Sequence, residues 1–157
     1  VSKKFDIPAM EVEVTVNGRV YTLDLSTVAE KMLIDPNHLD EELEQQAAFY
    51  LWVGTLAAEA EMSAEEEKQA FDIFFAELQR DVRLTMEGNG GKAPAAATVE
   101  AAAKATKEYG NRLADMMEAR RISAIVSTVR DAVRMRQYTL IERSRRLSKH
   151  EAAETEE

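Results

Sequence analysis

The sequence predicts a mainly α protein. An N-terminal β-hairpin leads into a helical bundle that closes with a long C-terminal helix, and the chain is expected to be oligomeric. Three observations carry this expectation: alternating apolar residues around an Asn-Gly pair, apolar residues recurring at three and four over most of the remainder, and a stripe spaced by seven near the end. The organisation read from these patterns is a hairpin appendage over 1–26, a helical domain over 27–149 and an acidic, disordered tail over 150–157.

The hairpin lies in "MEVEVTVNGRVYTLDL". Val12, Val14 and Val16 share one face, and Glu11, Glu13 and Thr15 share the other. Asn17-Gly18 supplies the two positive φ values of a type I′ turn, and Val20, Tyr21, Leu23 and Leu25 form the return strand. A lone hairpin is marginal in water, so it must lie on helices or pair with another chain.

Helical spacing then takes over. Thr27 with Glu30 reads as a capping box, and Asp35 reads as the cap of the next helix with Pro36 at its first position. Leu39, Leu43, Ala47, Tyr50 and Gly54 follow on one face. Ser63 with Glu66 reads as a second capping box, opening a helix with Phe71, Phe74, Phe75, Leu78 and Val82 on its apolar side. "GNGGKAP" at 88–94 is the strongest break. Beyond it the pattern runs from Val99 to about Leu147, with Gly110 as its weak point.

In the last helix Val126, Val133, Leu140 and Leu147 recur every seven residues, and Ile122 and Val129 stand four residues before the first two. That companion row then becomes Arg136 and Arg143. A stripe of this kind needs another helix, from the same chain or a copy of it. Ile122, Val126, Val129, Val133, Leu140 and Leu147 are therefore the expected oligomerisation residues. Arginines border the stripe: Arg130, Arg134 and Arg145 on one flank, and Arg121, Arg136, Arg143 and Arg146 on the other.

Charge is unevenly placed. The chain is at −9 overall, but residues 1–62 carry −8 and residues 113–149 carry +5. The basic segment has two readings. Its arginines answer the acidic N-terminal half, within a chain or between chains, or they track phosphates with their planar forks. Tyr138 stands among them, as a packed helix residue or a stacking platform for a base.

Catalytic chemistry finds little support. There is no cysteine, and the two histidines are His38 at a helix start and His150 in the tail. The acids Asp40, Glu41, Glu42 and Glu44 are placed to favour a helix N-terminus rather than to converge on a metal. "GNGGKAP" has Ala93 where a phosphate-binding loop needs Ser or Thr, and a helix rather than a strand precedes it. The expectation is a protein that is not an enzyme and needs neither cofactor nor metal. No run approaches the length of a membrane span, and "VSKKFDIPAM" has no signal-peptide core, so a cytoplasmic protein is expected.

The layout of the second half is recognisable. "ELQRDVRLTMEG" is followed by a glycine-broken loop, by "KAPAAATVEAAAKATKEYGNRLADMMEARR" and by "AVRMRQYTLIERSRRL". Over residues 40–147 this resembles the UvsY-type recombination mediators of bacteriophages. The resemblance implies a ring-like homo-oligomer that binds single-stranded DNA. Such a protein helps a RecA-type recombinase replace single-strand-binding protein, in the cytoplasm of the infected host. It also implies DNA contacts from basic residues before the glycine loop, for which Arg80, Arg83 and Lys92 are the nearest matches, and an assembly role for the C-terminal helix. With the glycines aligned, Arg80 falls in register, while Val82 takes the next basic position with Arg83 beside it. The nucleic-acid set expected from both lines is Arg80, Arg83, Lys92, Arg134, Arg136 and Arg143. The N-terminal hairpin lies outside the family's layout. The alternative reading is a scaffolding homo-oligomer or phage assembly chaperone without nucleic-acid binding, in which Arg121, Arg136 and Arg143 make interchain salt bridges with the acidic half.

Overall fold

The structure, a computed structural model, describes residues 9–88 and 92–154. The elements in order are β1 (Glu11–Val16), β2 (Arg19–Asp24), α1 (Leu25–Lys31), α2 (Leu39–Gly88), α3 (Ala96–Lys104) and α4 (Lys107–Glu154). The expected class holds: the chain is mainly helical, with an N-terminal antiparallel hairpin. The described residues divide into two compact units, one within 1–60 and 122–157 and the other within 61–121.

In the first unit, Asn17 and Gly18 adopt φ of 50° and 76°, as the type I′ turn requires. Pairing sets Val12 opposite Leu23 and Val14 opposite Tyr21, so these four share one face. Val12, Val14 and Leu23 are buried, in one cluster with Val28 of α1, Val53, Leu56, Ala57 and Ala60 of α2, and Val126, Val129 and Val133 of α4. The hairpin is thus a wall of the core rather than an appendage. Two strands cannot bury their apolar face alone, and the helix pair supplies the missing layer.

Local signals resolve differently in three places. The cap of α1 is Asp24, the last residue of β2. Its carboxylate accepts from the Ser26 backbone N–H at 2.9 Å and from the Thr27 hydroxyl at 2.8 Å, so Thr27 serves the cap instead of being it. Asp35 caps a turn, not a helix: it accepts from Asn37 N–H at 2.9 Å, and α2 starts later, at Leu39. At Ser63 no helix begins, because α2 runs unbroken for 50 residues. A capping box acts only where the backbone leaves helical geometry. Ser63 lies between runs of alanine and glutamate, and carrying the helix through one serine costs a few tenths of a kcal/mol.

The helix ends at Gly88, as the break predicts, and residues 89–91 of that loop lie outside the described residues. In the second unit the buried residues are Phe71, Val99, Ala103 and Met116, and Tyr109 packs tilted against Phe71 and Phe75, with centroids 5.5 and 5.3 Å away. The expected single helix after the loop is two. The weak point is Thr106, whose hydroxyl donates to the Ala103 carbonyl at 2.8 Å and accepts from the Tyr109 N–H at 3.2 Å. Gly110 lies inside the first turn of α4. At the far end the backbone of α4 continues to Glu154, into the region expected to be disordered, and residues 155–157 lie outside the described residues. No helix among the described residues is long and apolar enough to cross a membrane.

Candidate functional site

In the first unit the two helices meet along rows spaced by seven. Leu39, Gln46, Val53 and Ala60 of α2 are all buried, as are Val126, Val133 and Leu140 of α4. The row beside the latter holds Ile122, Val129 and Arg136. Each apolar row therefore contains one polar residue, Gln46 and Arg136, and the two meet. Arg136 Nη1 donates to Gln46 Oε1 at 2.6 Å, and Gln46 Nε2 donates to the Val133 carbonyl at 2.8 Å. Arg136 Nη2 donates to the Leu33 carbonyl at 3.1 Å and to Glu42. Glu42 in turn accepts from the Asp35 backbone N–H at 3.2 Å.

This arrangement answers a backbone problem. In the segment 32–38 between α1 and α2 the Met32 and Leu33 N–H groups still bond back into α1, but the Leu33 carbonyl and the Asp35 N–H have no helix-ladder partner. Arg136 takes one of its carbonyls, and Glu42 takes one of its N–H groups. A guanidinium suits the task because its fork reaches a carboxylate, an amide and a carbonyl at once. Its Nε is the only buried side-chain nitrogen or oxygen without a partner among the described residues. The Arg136 hydrogen bond, reinforced by the Asp35 N–H, holds the Glu42 carboxyl below the ordinary glutamate range against the opposing effect of burial.

Beside this cluster opens a cavity of about 410 Å³, lined among others by Glu30, Lys31, Leu33, Gln45, Phe49 and Trp52. Phe49 and Trp52 stack with centroids 6.3 Å apart, and the Lys31 ammonium lies 5.9 Å from each ring centre. A neighbouring cleft of about 200 Å³ shares Glu42 and Gln45 and adds Asp35, His38 and Glu41. There His38 Nδ1 meets Asp35 Oδ2 at 2.9 Å. That hydrogen bond, with the charges of Asp35, Glu41 and Glu42, raises the imidazole pKa. Among the described residues no group of three or more His, Cys, Asp or Glu side chains is placed to hold a metal ion.

In the second unit, Arg80 and Arg83 stand three residues apart near the end of α2, both exposed. They line a cleft of about 280 Å³ with Gln79 and, from α3, Ala96, Val99 and Glu100. Among the described residues the only carboxylate within 4 Å of either head is Asp81, 3.6 Å from Arg80 Nε, and the Glu100 carboxylate that also lines the cleft pairs with Lys104 at 2.5 Å. Lys92 is exposed at the far side of the loop.

The expected nucleic-acid set thus separates. Arg80 and Arg83 share one cleft, and Lys92 is exposed. Arg134 is exposed and donates to the Tyr50 hydroxyl at 3.2 Å, and Arg143 is exposed. Arg136 does not belong with them: it is 6% exposed and both its terminal nitrogens are engaged inside the chain, so no phosphate reaches them. Its carboxylate partner Glu42 belongs to the same chain, and Arg121 pairs with Glu118 at 2.6 Å, so neither bond is the expected interchain one.

The expected assembly stripe is also largely consumed within the chain. Val126, Val129 and Val133 lie in the core cluster with Ile122 packed against it, Leu140 is buried as well, and Leu147 alone of the six is well exposed, at 48%. The hairpin and α2 fill the role foreseen for a second copy.

Sequence reasoning passed over Lys31, Leu33, Glu42 in this role, Gln46 and the Phe49–Trp52 pair. One signal was available for Gln46, a lone amide in an otherwise apolar seven-residue row. Comparison of the chain with protein-family models, curated proteins and solved structures returned no match.

Proposed function

We propose that the chain is a single-stranded DNA-binding recombination mediator, a non-enzymatic protein that helps a RecA-type recombinase onto DNA covered by single-strand-binding protein. The observation that carries this reading is the cleft lined by Arg80 and Arg83. Two exposed guanidiniums less than one helical turn apart, beside an amide, with one carboxylate within 4 Å of their heads and the cleft's Glu100 already paired with Lys104, suit a phosphate backbone. Exposed Lys92 lies beyond the loop, and Arg143 and Arg145 are exposed with no ion-pair partner among the described residues. The resemblance of residues 40–147 to the UvsY-type mediators supports the same reading, with a homo-oligomer in the host cytoplasm as its working form.

The test is fluorescence anisotropy of a labelled oligo-dT strand at low and high salt. Each phosphate contact contributes about −0.7 to the slope of log affinity against log salt for a single strand. Replacing Arg80 and Arg83 with alanine together is expected to flatten that slope by more than about one and to leave the helical circular-dichroism signal intact. Binding that ignores the double substitution would remove the cleft from the reading.

One observation favours a scaffold without nucleic acid: the most buried arginine of the basic segment, Arg136, is spent on Glu42 and Gln46. On that reading oligo-dT does not bind even at low salt.

A further inference from the structure

We propose that the cavity beside Phe49 and Trp52 docks a basic, apolar-anchored segment of a partner protein, whose cationic side chain takes the place of Lys31 on the two rings. The chain already shows the chemistry. Its own Lys31 ammonium lies 5.9 Å from both ring centres, where the negative faces of the rings attract a cation. Lys31 is exposed and makes no ion pair among the described residues, so only this weak attraction holds it there.

The surroundings state the partner's charge. Glu30 lines the cavity without a cationic partner among the described residues, and Glu41 stands in the adjoining cleft in the same condition. The other charges are already matched, Glu42 by Arg136 and Asp35 by His38. When Lys31 leaves the rings, its place is open to a second cation, with the Glu30 carboxylate lining the same cavity and Glu41 in the adjoining cleft. Apolar contact is provided as well: Leu33, 74% exposed, and Trp52, 37% exposed, both line the cavity. An aromatic shelf, an exposed leucine and unmatched acids together fit a segment carrying Lys or Arg next to aliphatic residues. This site lies in the first unit and is independent of the Arg80 and Arg83 reading.

Trp52 is the only tryptophan, so intrinsic fluorescence reports on the cavity directly. The full chain is titrated with a helical peptide of leucine and lysine, and separately with a Gly/Ser/Lys peptide of equal length and charge. Saturable change in Trp52 emission is expected with the first, at least about tenfold tighter than with the second. Lys31→Ala removes the internal competitor and is expected to tighten binding about threefold, while Glu30→Lys weakens it. Both positions are exposed, and circular dichroism verifies that each variant is folded; should Glu30→Lys fail to fold, Lys31→Ala decides. Equal affinity for the two peptides, binding that leaves Trp52 emission unchanged, or no gain from Lys31→Ala would overturn the proposal. So would a Trp52 response to oligo-dT in place of the peptide, or one that rises with protein concentration alone and so marks a second copy as the occupant.

Discussion

Gln46 and Arg136 lie 90 positions apart in sequence and meet side chain to side chain at 2.6 Å, the two buried polar residues among the described residues. Burying a guanidinium is costly, and the cost is offset only while its acceptors stay in place. Arg136→Leu leaves the Leu33 carbonyl and the Gln46 amide oxygen without this donor and Glu42 with only the Asp35 N–H. It is expected to destabilise the protein by about 2–4 kcal/mol in urea unfolding. The double variant Gln46→Leu with Arg136→Leu is expected to lose less than the sum of the two single changes, by about 1 kcal/mol or more. Strict additivity would show that the two do not act as a unit.

Acid should attack the same place. The Glu42 carboxyl is held below its ordinary range by Arg136 first and the Asp35 N–H second. A depressed folded-state pKa contributes stability that is present above the unfolded value, about 4.3, and lost as pH falls through the folded value. Glu42→Gln is therefore expected to flatten the fall of Tm below about pH 4, measured by thermal melts across pH.

His38 carries the opposite sign. The Asp35 hydrogen bond raises its pKa, so the interaction is present below the unfolded value, about 6.5, and is lost as pH rises through the higher folded value. The imidazole is exposed, so the readout is spectroscopic. Its NMR titration midpoint is expected above about 6.5 and should move back toward that value in Asp35→Asn.

Leu140 separates assembly from folding. It is fully buried within one chain. Leu140→Ala is expected to cost about 2–5 kcal/mol by chemical denaturation, and Leu140→Asp to unfold the chain rather than disperse an oligomer. A folded monomer of Leu140→Asp, seen by light scattering with a native circular-dichroism spectrum, would restore it as an assembly residue.

Two glycines should respond oppositely to alanine. Gly18 has φ of +76° in the hairpin turn, and Gly18→Ala is expected to destabilise by about 1 kcal/mol in thermal melts. Gly54 lies inside α2 with open space where a Cβ would stand, and Gly54→Ala is expected to stabilise by about 0.5–1 kcal/mol.

Much of the fold was legible because its signals are local. Asn17-Gly18 specifies a turn through backbone sterics alone, alternation in 11–16 specifies which strand face is apolar, and α2 ends at Gly88, where the sequence breaks. Where a local preference was weak, context prevailed. The Ser63 capping box was absorbed into α2, and the break after α3 fell at Thr106, where a side chain caps the next helix, not at Gly110.

The sequence by itself determined a hairpin, the helical character of the rest, and the apolar rows at 122–140. Those follow from φ preferences and periodicity, which act over a few residues. What covers those rows was decided by tertiary structure: the chain's own hairpin and α2, rather than a second copy. The fate of Arg136 was decided there too. A charge at a seam position reads the same in sequence whether it faces phosphate or a buried glutamine. Only the long-range meeting of 42 and 46 with 136 turns it inward, because hydrogen-bond partners, unlike periodicity, are set by what the fold brings together.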